Sequence, residues 1–454
     1  MREVEILRKS AVEQGALIRS RALTSEDLTE IYLRRIEKID PDLCSFVQVL
    51  GDEAMRSARK ADRETPPPGH RFHGVPIGIK DLNAVRGSFM RMGSKAFERL
   101  ISPADDLVVA RLRKAGLVFV GKTATSELGA LPVTEPDIHP PTRNPWDKSV
   151  TPGGSSGGAA AAVAADLIPF ALGSDGGGSV RIPASLCGLV GFKPTQGLVE
   201  NPFGMSDPDI IWTCGPIARS VADAAALLDA MIDLPPGGEG FYEQSRRPLP
   251  RLRVHVATDT HVVASEPDVR KETLRVAKMV ASLGHDVEEQ PTLRGINVDE
   301  FLPIWQRNVS KAPVLDWSET QPVTRWLAEE GKRLDGREVA TRVALLAERV
   351  LAMFGDADVW IMPTVSVSPL PIGALRDLPP AEAFERAAHL GAFTAVFNVS
   401  GQPAISIPAG QSHKGHPIGV QIVGRRGQDA TVLSLARAVE EQLGWRGLGE
   451  RTND

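Results

Sequence analysis

Two glycine-rich, serine-bearing clusters and one lysine are the residues of this chain best suited to do chemistry. The clusters are Thr151-Pro-Gly-Gly-Ser-Ser-Gly-Gly158 and Gly173-Ser-Asp-Gly-Gly-Gly-Ser-Val-Arg-Ile-Pro183. Eight glycines fall in the 26 residues from Gly153 to Gly178. Glycine gathers where backbone must approach a ligand closely or adopt positive φ. Gly176, Gly177 and Gly178, just ahead of Ser179, offer a run of unobstructed N–H groups of the kind that binds an anion. With Ser179 as a nucleophile, those groups would lie where an oxyanion forms, and one such donor is typically worth about 10²–10³ in rate. Ser155 and Ser156 each sit at the centre of a G-x-S-x-G match. On this segment alone, two plain loops flanking a helix stay open as the alternative.

A serine nucleophile needs a base. All nine histidines lie outside both clusters. A lysine serves when burial or a nearby cation lowers its pKa. Lys80 follows Val75-Pro-Ile-Gly-Ile79, which places it at the end of a buried strand. The competing assignment is an ordinary solvated lysine. A hydrolase using Ser155 or Ser156 would draw on His389, His413 or His416 downstream, but Lys148-Ser-Val-Thr-Pro152 is a poor strand for a nucleophile elbow. Gly116-Leu-Val-Phe-Val-Gly-Lys-Thr123 fits the pattern G-x4-G-K-[ST], yet Leu117-Val-Phe-Val120 should be strand where a phosphate loop is required. ATP binding is therefore not expected.

The elements that must hold these residues alternate between helix and strand. Apolar periodicity and caps predict helices over 24–39 (stopped by Pro41), 107–114, 220–232 (after a Gly215-Pro216 turn), 268–283 and 430–443. Strands are predicted over 75–79, 116–120, 252–257, 286–288, 358–362, 404–408 and 418–423. That order reads as α/β. Residues 235–250 read as a linker. The least periodic stretch, 295–385, is rich in Trp and reads as a variable substrate-binding region, with ordinary helical packing as the alternative.

Composition narrows the class. The 454 residues are 42% hydrophobic and 24% charged, which excludes a disordered, collagenous or disulfide-scaffold chain. Glycine is 42 of 454 residues, about 9% against a usual value near 7%. A net charge of −5 lacks the footprint of a nucleic-acid binder. Three cysteines without a C-x-x-C fit a reducing, cytoplasmic setting. The longest apolar run, 157–165, falls short of the roughly 20 residues of a membrane span. No metal-ligand cluster stands out, and no cofactor is expected.

Taken together, the clusters and Lys80 resemble the amidase signature family. Gly78-Ile-Lys80-Asp81, Gly121-Lys-Thr123 with Glu127, and Asn144-Pro-Trp146-Asp147 carry the likeness. So do both glycine clusters, Gly188-Leu-Val-Gly-Phe-Lys-Pro194-Thr195, and Gly215-Pro216 through Asp223. Met362-Pro363-Thr364, Asn398-Val-Ser-Gly-Gln-Pro-Ala404 and Gly419-Val-Gln421-Ile-Val-Gly424 extend it. Gly197-Leu198 and Gly176 depart from the family's usual Gly-Arg and Ile or Thr.

The resemblance implies a Ser–cis-Ser–Lys triad. Ser179 would be the nucleophile, Ser155 the bridging serine in a cis peptide and Lys80 the base. N–H groups of Gly176, Gly177, Gly178 and Ser179 would form the oxyanion hole. Ser156, Asp175 and Arg181 would support the loops, as would Asp81. The implied fold is a single large, mixed, mainly parallel sheet with helices on both faces. One domain would span 1–454, with 1–60 an N-terminal helical region and 295–385 supplying substrate contacts. The implied activity is hydrolysis of a small-molecule amide. Trp305, Trp317, Trp326, Phe203 and Trp212 are the candidate pocket aromatics, with the core as their alternative place. Three other functions stay open: the amidase subunit of a tRNA amidotransferase, a His-dependent esterase and a non-catalytic binding subunit. The first is disfavoured because residues 306–335 lack that subunit's Tyr- and Asn-rich segment. A homodimer is left open.

Overall fold

The computed structural model describes residues 2–66, 69–201, 209–234, 238–290, 292–293, 295–445 and 447. Its frame among these residues is one sheet of eleven strands. In chain order they are β1 (Phe46–Val49), β2 (Pro76–Lys80), β3 (Val118–Thr123), β4 (Phe170–Asp175), β5 (Val190–Lys193) and β6 (Thr213–Ala218). They continue with β7 (Arg253–Val256), β8 (Asp286–Glu289), β9 (Val359–Pro363), β10 (Ala404–Gln411) and β11 (Pro417–Gly424). Side by side the order is β1-β3-β2-β4-β6-β5-β10-β11-β9-β7-β8.

The sheet is mixed, as expected, but it is not mainly parallel. Six neighbouring pairs are antiparallel and four are parallel. Two breaks in the helix–strand alternation account for three of the six antiparallel pairs. β10 and β11 are joined directly at 412–416, without the crossover a parallel pair requires. β6 turns back after the connection 194–212 and inserts between β4 and β5, antiparallel to both.

Successive strand residues point to opposite faces. Ile77, Ile79, Phe119, Leu172 and Ile361 enter one apolar cluster. The helices Ser25–Leu43, Leu107–Lys114, Val221–Met231, Pro267–Ser282 and Asp429–Leu443 pack into the same cluster. Val118, Val120 and Ala171 instead meet the helices Gly51–Arg63 and Gly157–Ala164. Trp360 and Met362 pack with the helix Gly336–Met353. Alternate residues of the same strands thus divide between two layers, and helices cover both faces.

Most predicted elements fall within a few residues of the observed ones. The helix expected to stop at Pro41 runs through it to Leu43 and ends at Cys44, whose φ is 54°. Gly215-Pro216, read as a turn, lies inside β6. β6 pairs with β5 only at Ala218 and Ile217, so Pro216 has no partner on that side, while on the other it stands opposite Leu172 of β4. Gly121-Lys122-Thr123 is strand, not a phosphate loop, and pairs with both β1 and β2. Within 1–60 the chain forms the helices Glu3–Arg8, Ala11–Arg19, Ser25–Leu43 and Gly51–Arg63, plus β1. Residues 295–385 form four longer helices around β9: Val298–Ser310, Pro322–Lys332, Gly336–Met353 and Pro380–Ala388. The predicted linker begins at 235–237, outside the described residues. No helix among the described residues is long and apolar enough to cross a membrane.

β2 runs parallel to both of its neighbours, β3 and β4. The carboxyl ends of β2 and β4 therefore reach the same edge, where open α/β sheets bind ligands. A buried ion pair fixes that edge. Lys122 Nζ lies 2.9 Å from Asp81 Oδ1, and neither side chain is more than 1% exposed. Breaking such a pair by removing one partner costs about 3–5 kcal/mol, whereas replacing both with apolar groups is far milder. Lys122→Met is therefore expected to lower the urea midpoint strongly, and the Asp81→Leu/Lys122→Met double variant to recover much of that loss.

Candidate active site

Lys80 ends β2 and is fully buried. Its Nζ is 2.7 Å from Ser155 Oγ, 3.0 Å from Ser174 Oγ and 3.3 Å from the Ser174 carbonyl. No carboxylate touches it among the described residues. Burial lowers its pKa to about 7, against an opposing pull from Asp175 and Cys214. Near neutrality, much of this lysine is the free amine. Lys193, at the end of β5, is equally buried and also lowered to about 7, first by burial and then by Arg181. Its Nζ bonds the Pro194 carbonyl and no hydroxyl. Geometry, not pKa, separates the two lysines.

Ser155 follows the cis peptide Gly154–Ser155. The first glycine cluster is packed from both sides. A Cβ on Gly154 would stand 2.6 Å from the Val133 nitrogen. Thr134 Oγ1 donates to the Gly153 carbonyl at 2.9 Å and accepts from the Gly157 N–H at 3.1 Å. Ser156 precedes the helix Gly157–Ala164 and makes no hydrogen bond with Lys80, although both donate to the Ser174 carbonyl. Its Oγ donates to the Ser174 carbonyl at 3.2 Å, and its N–H donates to the Ser179 carbonyl at 3.2 Å. Ser156 thus ties the two clusters together.

Ser179 sits on the turn between β4 and the helix Arg181–Cys187. Asp175 and Arg181 frame that turn. Arg181 Nε lies 3.0 Å from Asp175 Oδ2, and Nη2 lies 2.9 Å from Oδ1, both side chains being wholly buried. Burial pushes the Asp175 carboxyl up, but the Arg181 charge and hydrogen bonds outweigh it and hold it well below the usual range. The rest of the guanidinium bonds Gln421 Oε1 at 2.6 Å, Asn398 Oδ1 at 2.7 Å and the Thr394 carbonyl at 3.1 Å. Asn398 and Gln421 were present in recognised motifs, but nothing in their spacing assigned them to this frame.

The four expected oxyanion donors do not behave alike. The Gly178 N–H donates to Asp175 Oδ1 at 2.7 Å, so it is already committed and is removed from that set. The N–H groups of Gly176, Gly177 and Ser179 make no hydrogen bond among the described residues. Gly178 has φ 122°, and a Cβ there would fall 2.1 Å from Thr394 Oγ1. A Cβ on Gly176 would meet the Trp305 ring at 2.9 Å, which accounts for glycine where the family usually carries a larger residue.

Two cavities meet at Ser179. One, of about 70 Å³, is lined by Gly177, Ser179, Ile182, Val298, Phe301, Trp305, Phe384 and Val396, among others. The other, of about 170 Å³, contains Ser155, Ser174, Gly176 and Ser179 beside Asn83, Trp212, Cys214 and Trp305. Within it Ser155 and Ser179 form no hydrogen bond with each other among the described residues. Trp305 lines both cavities and Trp212 one, while Trp317 and Trp326 pack in an adjoining apolar cluster. Phe203 lies outside the described residues. No histidine lines either cavity. His413 bonds Asp268 and His416 bonds Asp147, and 148–153 is not a strand, so the elbow geometry is absent. No three His, Cys, Asp or Glu side chains converge as a metal site among the described residues.

The comparisons place the chain in a family. The sequence model of the family Amidase matches residues 27–433. The chain is 36% identical over 453 residues to a Synechocystis sp. protein carrying an amidase name, covering 96% of this chain and 88% of that one. It is 34% identical to the acylamidase of Rhodococcus erythropolis, with 96% of each chain covered. The solved structure of 6-aminohexanoate cyclic dimer hydrolase superposes with a TM-score of 0.90 at 31% identity, covering 98% of this chain and 99% of that one. A family match over most of the chain, a close structural superposition and relatives named as amidase, acylamidase and cyclic dimer hydrolase lead to one conclusion: this chain belongs to the amidase signature family and is a hydrolase of amide C–N bonds.

Proposed function

We propose that the chain hydrolyses a small-molecule carboxylic amide with Ser179 as nucleophile, Ser155 as bridging serine and Lys80 as base. The observation that carries this reading is the 2.7 Å contact between a buried lysine and Ser155 Oγ. A free amine there accepts the Ser155 proton while Ser155 accepts one from Ser179. Ser179 Oγ then bonds the amide carbon, and the carbonyl oxygen becomes an oxyanion. The uncommitted N–H groups of Gly176, Gly177 and Ser179 receive it. As the C–N bond breaks, the proton returns from Lys80 through Ser155 to the leaving nitrogen. Water attacks the resulting ester by the same relay, releasing the acid and regenerating Ser179. The Ser179–Ser155 hydrogen bond forms when substrate enters, since catalytic contacts commonly tighten only in the complex.

The proton's return path divides the substrate. The leaving nitrogen must reach Ser155, so the amine half takes the cavity that holds both serines. The acyl half takes the cavity that holds Ser179 without Ser155. No charged side chain lines that cavity, and Ile182, Val298, Phe301, Trp305 and Phe384 supply its walls. An uncharged, apolar acyl group fits it. Three of these side chains (Val298, Phe301 and Trp305) lie on one helix of the 295–385 region, and Phe384 lies on another. This supports a substrate-binding role for the region within a single domain over 1–454.

Two measurements test this. A fluorophosphonate probe should label Ser179, and Ser179→Ala, Ser155→Ala and Lys80→Met should each reduce amide turnover by at least 10³-fold. His389→Ala, His413→Ala and His416→Ala should stay within about twofold of the parent. Loss of activity in a histidine variant with Lys80→Met still active would return the esterase reading. The second measurement is the pH profile. Protonated Lys80 cannot accept a proton, and its pKa is lowered to about 7. The rate constant kcat/KM should therefore rise through about pH 7 and level off above it. A profile flat from pH 5 to 9 would remove Lys80 from the role of base.

A further inference from the structure

Gly129, Ser179 and Trp305 border both cavities and so form the neck between them. Gly129 has no side chain, and Ser179 carries the reacting oxygen. Trp305 is therefore the one bulky side chain at the neck among the described residues. Its indole touches a residue of each space. It stacks on Phe301, which borders only the acyl cavity, with ring centroids 5.8 Å apart and planes at 19°. Its benzo edge faces Gly176, which borders only the cavity of the two serines.

Three contacts hold this ring in place. Nε1 donates to the Ala130 carbonyl at 2.9 Å. Phe301 backs one face. On the Gly176 side there is no slack, since even a Cβ added to that glycine would stand 2.9 Å from ring atoms Cη2 and Cζ3. A ring packed this closely gives way to a substrate only by straining its neighbours. The acyl cavity is also the tighter of the two, about 70 Å³ against about 170 Å³.

Resting on the proposed mechanism and its division of the substrate, we infer that Trp305 is a specificity-determining residue that restricts branching at the acyl α-carbon. The carbonyl carbon bonded to Ser179 Oγ sits at the neck, and the α-carbon is the next atom on the acyl side. A straight chain leaves that atom in one direction, into the apolar cavity. A branch needs a second direction, and the fixed indole fills it. The preferred substrates are amides of acids unbranched beside the carbonyl.

Two isomers test this: 4-methylpentanamide and 2-methylpentanamide, the second as separate enantiomers. They share chain length and leaving group and differ only in where one methyl sits. The parent kcat/KM should favour the 4-methyl isomer over either enantiomer at least tenfold, within the range of about 10–200-fold that one methylene commands in an apolar pocket. In Trp305→Phe that ratio should fall at least fivefold, while turnover of the 4-methyl isomer reports that the variant is folded. Comparing ratios cancels the intrinsic difference between the two amides. Val396→Ala widens the acyl cavity away from the neck, and its ratio should stay within twofold of the parent's. An unchanged ratio in Trp305→Phe overturns the inference, as does an equal fall in Val396→Ala, which would make overall size the limit. A second readout needs no turnover: the 4-methyl isomer should protect Ser179 from a fluorophosphonate at a concentration at least fivefold lower than either 2-methyl enantiomer. Equal protection overturns the inference. If the parent hydrolyses the isomers equally, only the role of Trp305 fails. If neither is hydrolysed and Ser179 takes no label, the serine mechanism fails and this inference goes with it.

Discussion

An amine held out of water with no carboxylate in contact is the constraint on which this site depends. Burial alone would leave Lys80 at the mercy of its neighbours, because Asp81 follows it in sequence and Asp175 ends the adjacent strand. Either acid, if unpaired, would draw the proton back onto the lysine. Each has instead been given its own cation. Lys122 takes Asp81, and Arg181 takes Asp175 through two close contacts. These pairs are costly to bury. They lessen the pull of both acids on Lys80, and burial outweighs what Asp175 still exerts, lowering its pKa to about 7.

The same pairs do mechanical work. Asp175 receives the Gly178 and Val180 N–H groups as well as Arg181, and so shapes the turn that presents Ser179. Arg181 reaches across to Gln421 on β11 and to Asn398 on the helix Val396–Val399. Asn398 Nδ2 in turn holds the Asp175 carbonyl at 2.8 Å and the Ile211 carbonyl at 3.2 Å. The turn that carries Ser179 is thereby fixed to parts of the chain more than 200 residues away. The sacrifice of the Gly178 N–H to Asp175 belongs to this scheme: one donor orders the turn while its neighbours stay free for a ligand.

Legibility in the sequence followed locality. Lys80 was readable because an apolar run precedes it, and Ser179 because three glycines do. Helix ends such as Asp106 and Ser220, which cap their first turns, were readable for the same reason. β4, β5 and β6 were not drawn as strands, because Gly173, Gly191 and Gly215-Pro216 interrupt their patterns. Those glycines answer to contacts across the sheet. A Cβ on Gly215 would fall 2.2 Å from the Phe192 carbonyl of the next strand. The balance of parallel and antiparallel pairs escaped too, since it depends on where β6 inserts. Ser155 was told apart from Ser156 only by resemblance, as both match the same local pattern.

In the proposed mechanism, a bridging serine in place of direct contact between lysine and nucleophile follows from what the lysine needs. Nζ must stay where Ser174 and Ser155 can satisfy its hydrogens, at the buried end of β2. Ser179 must stand where two cavities open. A lysine long enough to touch Ser179 would carry its amine into the substrate space, where water would restore its ordinary pKa. Ser155 separates the two demands. Its hydroxyl both donates and accepts, so it passes a proton in either direction without itself holding charge. In the proposed relay the lysine keeps its dry site, Ser179 keeps its open one, and the leaving nitrogen would meet a hydroxyl already in hydrogen-bond contact with the proposed base. The same proposal sets the polarity of the substrate, because only one of the two cavities includes Ser155.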